Sequence, residues 1–235
     1  MSIKLYSYGD SHAAGHELGS DPNLGKAWLK ENFGFEDRQK AKKQRGEEYF
    51  SKVKNKWLAH IKNHCNAELS YAGQYANLIG AELVNRAVPG SSNDWSAIRL
   101  LEDLENITSD DIVMFSLCTH ERFLSGQGED VTRTQVQWQP LKVQRILYKY
   151  GPSDKSFALW TQAIVHMVKN IANTIIIKTT DVDISVNGIE TINVTAQPFS
   201  QFAMYTAGHD DIRYPAGHIH EHYHKLYAEY LRELI

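Results

Sequence analysis

A chain of 235 residues, 42% hydrophobic and 23% charged, can bury a core without disulfide or metal staples and has the composition of an ordinary globular domain, not of a disordered or fibrous chain. Its formal net charge of −3 supplies no basic field, which argues against nucleic acid or an anionic membrane surface as its main partner. No apolar run approaches the roughly 20 residues of a membrane span, and the opening MSIKLYSYGDS lacks the basic start and longer apolar core of a secretory signal.

These features predict a protein that is cytoplasmic when made; association with a virus particle would leave no mark of this kind. The two cysteines, Cys65 and Cys118, match no metal or redox spacing, and are expected as buried, reduced thiols.

In chain order, the first predicted element is a strand at residues 3–8, an apolar and aromatic run that enters a turn at Gly9. Residues 20–68 are charged and lysine-rich, with helical spacing around Tyr49, Val53, Trp57 and Ile61. Within them KAKKQR is flanked by Glu36, Asp37, Glu47 and Glu48, the pattern of a solvated helix face. A helix over 71–83 runs into a second strand at 82–87, and a helix over 94–105 precedes a third strand at 111–117. Residues 124–155 hold Gly, Gln, Pro and aromatics without clear periodicity. A helix over 156–172, a strand at 174–179 and a final helix over 220–235 complete the pattern. Strands alternating with helices predict α/β, a three-layer α/β/α sandwich with a central parallel sheet. The whole chain reads as one domain with two insertions, 20–68 and 124–155, placed over the edge where the strands end.

The chemistry-bearing residues sit at strand ends. Tyr8-Gly9-Asp10-Ser11-His12 follows the first strand. A serine on a tight strand-to-helix turn can present its hydroxyl at the carboxyl edge of the sheet, with the next N–H groups facing a developing oxyanion. The same residues, Asp10 or Ser11, would serve equally as a helix N-cap. The second strand ends in Asn85-Arg86-Ala87-Val88-Pro89-Gly90-Ser91-Ser92-Asn93-Asp94. There Gly90 would let backbone approach a ligand and Asn93 or Ser92 could donate, or the stretch is a Pro-Gly turn whose polar residues cap the next helix.

GDSHAAGHEL at the start, NRAVPGSSND after the second strand and the His-rich segment before the last helix resemble, in order and spacing, the SGNH (GDSL-type) hydrolases. The closest flavour is that of the SGNH-like proteins of tailed phages. The resemblance implies a flavodoxin-like α/β/α fold and a serine esterase that uses no cofactor and no metal. It matches Ser11 to the nucleophile, and Gly90 to the second-motif glycine, whose N–H joins that of the serine in the oxyanion hole. The third motif, usually GxND, reads Ser116-Leu117-Cys118-Thr119-His120-Glu121-Arg122 here. Lacking the asparagine, the chain has Thr119, His120 or Asn93 as the replacement donor, with Thr119 and Arg122 resembling the Thr…Arg version of phage-type members. Counting back from the last helix places the base at His218, with His220 and His224 as alternatives. The usual aspartate three residues earlier is Pro215, so Asp211, or Asp210, is the expected acid only if the loop bends.

The run His218, His220, His222, His224 also has metal-compatible spacing on a helix, yet no carboxylate or cysteine cluster accompanies it, and no metal is expected. His12 and His16 are neighbours of the site or helix-surface histidines. Trp138, Tyr148, Tyr150, Trp160, Tyr205 and Tyr214 either line a sugar-binding groove or pack in the core and insertions. Two functions follow from the resemblance. One is an esterase acting on a small-molecule or carbohydrate ester, with carbohydrate O-acetyl groups as substrate. The other is a catalytically impaired structural or carbohydrate-binding protein, with a phage particle as one setting, suggested by the missing asparagine and aspartate.

Overall fold

Strand β1, Lys4–Tyr8, lies at the middle of a four-stranded sheet whose order is β2-β1-β3-β6. Its partners are β2, Glu82–Asn85, on one side and β3, Ile112–Leu117, on the other, and β3 in turn carries β6, Asn173–Lys178. All three pairings are parallel. The computed structural model describes residues 2–19, 22–35, 43, 45–61, 65–118, 122–125, 132–135, 154–171, 173–179, 196–208, 213–214 and 218–235. Among these are seven α-helices: α1 (Pro22–Phe33), α2 (Glu47–His60), α3 (Tyr71–Ile79), α4 (Asn93–Asp103), α5 (Asp154–Lys169), α6 (Phe199–Ala207) and α7 (Glu221–Leu234).

Alternation along the strands divides the core into two layers. Leu5, Met114, Ile175 and Ile177 point to one face and pack with Tyr71 and Tyr75 of α3, Phe199 of α6, and Tyr227 and Leu231 of α7. Tyr6, Tyr8, Val113, Phe115, Leu117 and Ile176 point to the other and pack with Leu100 of α4 and Ile164, Val165 and Val168 of α5. The molecule is therefore the expected α/β/α sandwich. Strand β3 is buried along nearly its whole length and β2 is not, as their central and edge positions require. No described helix is long and apolar enough to cross a membrane.

Three local features differ from the sequence reading. The charged 20–68 segment carries two helices with a core of their own, in which Trp28 and Leu29 of α1 meet Val53 and Trp57 of α2 and the adjoining Ile61. The 124–155 region contains strand β5, Thr132–Gln135, paired antiparallel with β4, Arg122–Ser125; four-residue strands are too short to declare a period. Of the two free cysteines, Cys118 is buried as expected but Cys65 is exposed.

In a 2-1-3 strand order the sense in which strands are added to the sheet reverses between β1 and β3, and the crevice beyond their carboxyl ends is where ligands bind in open α/β sheets. Ser11 follows β1 and Cys118 follows β3, so both flank that crevice.

Candidate active site

The turn after β1 is built by a close approach. A Cβ on Gly9 would stand 2.7 Å from Ser116 Cβ on the neighbouring strand, so only glycine lets β1 end there without displacing β3. Asp10 then accepts a hydrogen bond from His12 N–H at 3.1 Å and its carbonyl takes Ala14 N–H at 2.9 Å. Asp10 thus closes the turn, in which Ser11 is buried at 6% exposure. No helix follows. Gly15 has φ 71° and Glu17 φ 67°, left-handed conformations that end the turn after one loop of chain. Glu17 is the one described non-glycine residue with positive φ, and such residues gather where surrounding structure over-determines them.

His218 reaches this turn from the far end of the chain. A bridge between Arg213 and Ile219, with Tyr214 N–H donating to His218 C=O at 2.8 Å, closes the loop that presents it. Ile219, fully buried in the α3–α6–α7 layer, anchors that loop. The His218 ring packs 5.4 Å from the His12 ring and 4.6 Å from the His16 ring. Its Nδ1 is hydrogen-bonded to Glu17 Oε2, the ring donating when the carboxyl is ionised, and its main-chain N–H donates to the same oxygen at 3.0 Å. Glu17, 0% exposed, takes a further bond at Oε1 from Trp57 Nε1–H at 2.6 Å. With Nδ1 on the carboxylate, the ring's second nitrogen is the one that Glu17 does not engage. Among the described residues no hydrogen bond joins that ring to Ser11 Oγ. Catalytic contacts of this kind often tighten only when substrate is bound.

The neighbouring imidazoles are held neutral. Burial, reinforced by nearby His218, pushes the pKa of His16 down to about 4. Burial also lowers that of His12, against the opposing pull of Asp10, whose Oδ1 lies 3.6 Å from His12 Nδ1. His224, an alternative base in the sequence reading, accepts Tyr71 N–H at Nδ1 (3.0 Å) and stacks on the Tyr71 ring, and burial drives its pKa well below the ordinary range. It braces α3 against α7. His220 packs against Tyr214 as N-cap of α7, and His222 is exposed. Among the described residues no group of three or more His, Cys, Asp or Glu is placed to hold a metal.

The second motif is fastened to the same turn. Arg86 N–H donates to Ser7 C=O at 2.8 Å, and Val88 N–H to Gly9 C=O at 3.1 Å, bringing Gly90 within two residues of the zipped strands. Ser92 is the N-cap of α4, accepting from Trp95 N–H. Asn93 accepts from Cys118 N–H at 2.8 Å and donates to Cys118 C=O at 3.3 Å. Its amide thus fixes the end of β3. Arg86 forms a two-pronged pair with Asp103, which also takes the Tyr8 hydroxyl at 2.9 Å, so this motif is braced from α4 as well. Thr119, His120 and Asp211 lie outside the described residues, and Arg122 is the first residue of β4.

The single aromatic groove is not formed by the described aromatics. Trp160 on α5 and Tyr205 on α6 are 66% and 87% exposed but lie on opposite faces of the sheet, while Tyr214 is buried. Trp138, Tyr148 and Tyr150 lie outside the described residues.

Glu17 and Trp57 are the site residues that sequence reasoning missed. The available signal was a lone carboxylate in the otherwise small and apolar AAGHELG, six positions after Ser11.

No protein-family model matches the chain, and no curated protein matches it. Among solved structures it is similar to a carbohydrate esterase described as having an active site with divergent catalytic and non-catalytic binding functions. Identity is 13% and the TM-score 0.35, with 97% of this chain and 66% of that one covered. The chain thus spans just under two thirds of that protein's length.

Proposed function

We propose that the protein is a serine esterase of the SGNH type, acting on small esters such as O-acetyl groups of a carbohydrate. One observation supports this reading above the others: a fully buried carboxylate, Glu17, on Nδ1 of an imidazole, His218, that packs against the turn bearing Ser11. A serine nucleophile requires acid, ring and hydroxyl in series, and the first two are paired here beside the third. Ser11 Oγ attacks the acyl carbon while His218 Nε2 takes its proton. The Glu17 carboxylate holds the ring's tautomer and stabilises the imidazolium. The N–H groups of Ser11 and Gly90 receive the charge on the carbonyl oxygen. Collapse releases the alcohol, protonated by His218, and leaves an acyl-Ser11. Water, deprotonated by the same ring, then frees the carboxylate product. In this reading Glu17 takes the part of the acid expected of Asp211, the family's usual aspartate position being Pro215.

The test is hydrolysis of an acetyl ester, 4-nitrophenyl acetate first and O-acetylated polysaccharide second, by the parent chain and by Ser11→Ala. The reading expects turnover that Ser11→Ala lowers to background while the thermal unfolding midpoint stays within a few degrees. Turnover that survives Ser11→Ala, or none in the parent, refutes it.

A further inference from the structure

Helices α1 and α2 bury a small core of their own, and from it one polar atom reaches the site. Trp57 is fully buried, and its indole N–H donates to Glu17 Oε1, the oxygen that His218 does not use. Resting on the esterase reading above, we infer that Trp57 is a positioning residue of the reaction, fixing the Glu17 carboxylate and through it the His218 ring. The inserted helical pair is then the back wall of the acid.

A buried carboxylate persists as an anion only where donors replace its lost water. Among the donors to Glu17 are the indole on Oε1, and the ring and main-chain N–H groups of His218 on Oε2. The indole N–H is a donor with no acceptor capacity, so it favours the ionised acid over the protonated one and stops the carboxylate from rotating. The same insertion also secures the strained backbone at this point. Where the chain returns from α2, Asn66 N–H donates to Gly15 C=O at 3.0 Å, and Cys65 bridges His16. A Cβ at Gly15 would lie 2.0 Å from Asn66 C=O oxygen, so the two segments meet backbone to backbone.

Other charged and titratable groups around the pair are His12, His16 and Asp10 on the turn, Lys54 on α2, Arg213 on the presenting loop and His224 on α7. Trp57→Phe changes none of them. Removing the indole N–H destabilises the state with ionised Glu17 and neutral His218 more than the state after proton uptake. Trp57→Phe therefore moves the acid limb of the activity profile to higher pH.

The experiment is the rate of Ser11 labelling by a fluorophosphonate as a function of pH, in the parent chain and in Trp57→Phe. The inference expects labelling slowed about 10- to 100-fold, the range for a hydrogen bond to a charged group, with the acid-side fall-off moved to higher pH. An unchanged rate, or a slower rate with an unmoved fall-off, overturns the inference and leaves the esterase reading standing. A parent chain whose Ser11 never labels overturns both. Should Trp57→Phe fail to fold, NMR of the unmutated chain decides. The Trp57 indole proton must shift in the same titration as His218, and an indole silent through it overturns the inference.

Discussion

At the residue scale the account depends on which side chains share the Glu17 carboxylate. Removing that charge while keeping its shape, as in Glu17→Gln, should leave the ring unoriented and lower kcat by up to on the order of 10⁴, the loss known when a triad loses its acid. KM should change little, because the carboxylate touches no substrate. A loss confined to KM would contradict the assignment. Asn93 gives the opposite expectation. Asn93→Ala leaves Cys118 N–H buried without its partner, at a cost of about 1–3 kcal/mol, measurable as a lower urea midpoint. The places of Ser11 after the first strand and of His218 before the last helix were legible in the sequence because each sits at a fixed offset from an element with a strong pattern. Glu17 was not. Its role arises from a contact spanning 201 positions, which no local spacing encodes.

At the element scale the four strands of the sheet fall within two residues of their expected positions, because buried parallel strands are nearly continuous apolar runs. Helix α2 was visible in the spacing of Tyr49, Val53 and Trp57. The turn after Ser11 was not, for its helical-looking residues are overruled by left-handed backbone at Gly15 and Glu17. Strands β4 and β5 escaped notice through brevity. The junction of β1 and β3 gives a sharp prediction. Gly9→Ala places a methyl 2.7 Å from Ser116 Cβ, so it should lower stability by about 1–3 kcal/mol, the cost of overpacking a tight core. It should also slow Ser11 labelling, since the turn shifts with the strand end. A denaturant midpoint equal to the parent's would show that the strands do not approach so closely.

At the scale of the whole molecule, the histidines of the site make stability depend on pH. Burial keeps His12, His16 and His224 neutral, with His16 down at about 4, whereas in the unfolded chain each titrates near about 6.5. The unfolded state therefore binds more protons in this interval, and stability rises with pH. The contribution is complete above about pH 6.5 and is lost on acidification toward the folded-state value of about 4 for His16. Thermal unfolding midpoints should fall over that window, and His16→Gln should flatten the fall. A midpoint independent of pH across it would mean that these rings are hydrated.

The most direct test of the central claim is the site and the dependence of covalent labelling. A fluorophosphonate should add to one serine, Ser11, found by peptide mass spectrometry, and both His218→Ala and Glu17→Gln should suppress the adduct in chains that remain folded. An adduct on another serine, or labelling of Ser11 at the parent rate without His218, would contradict it.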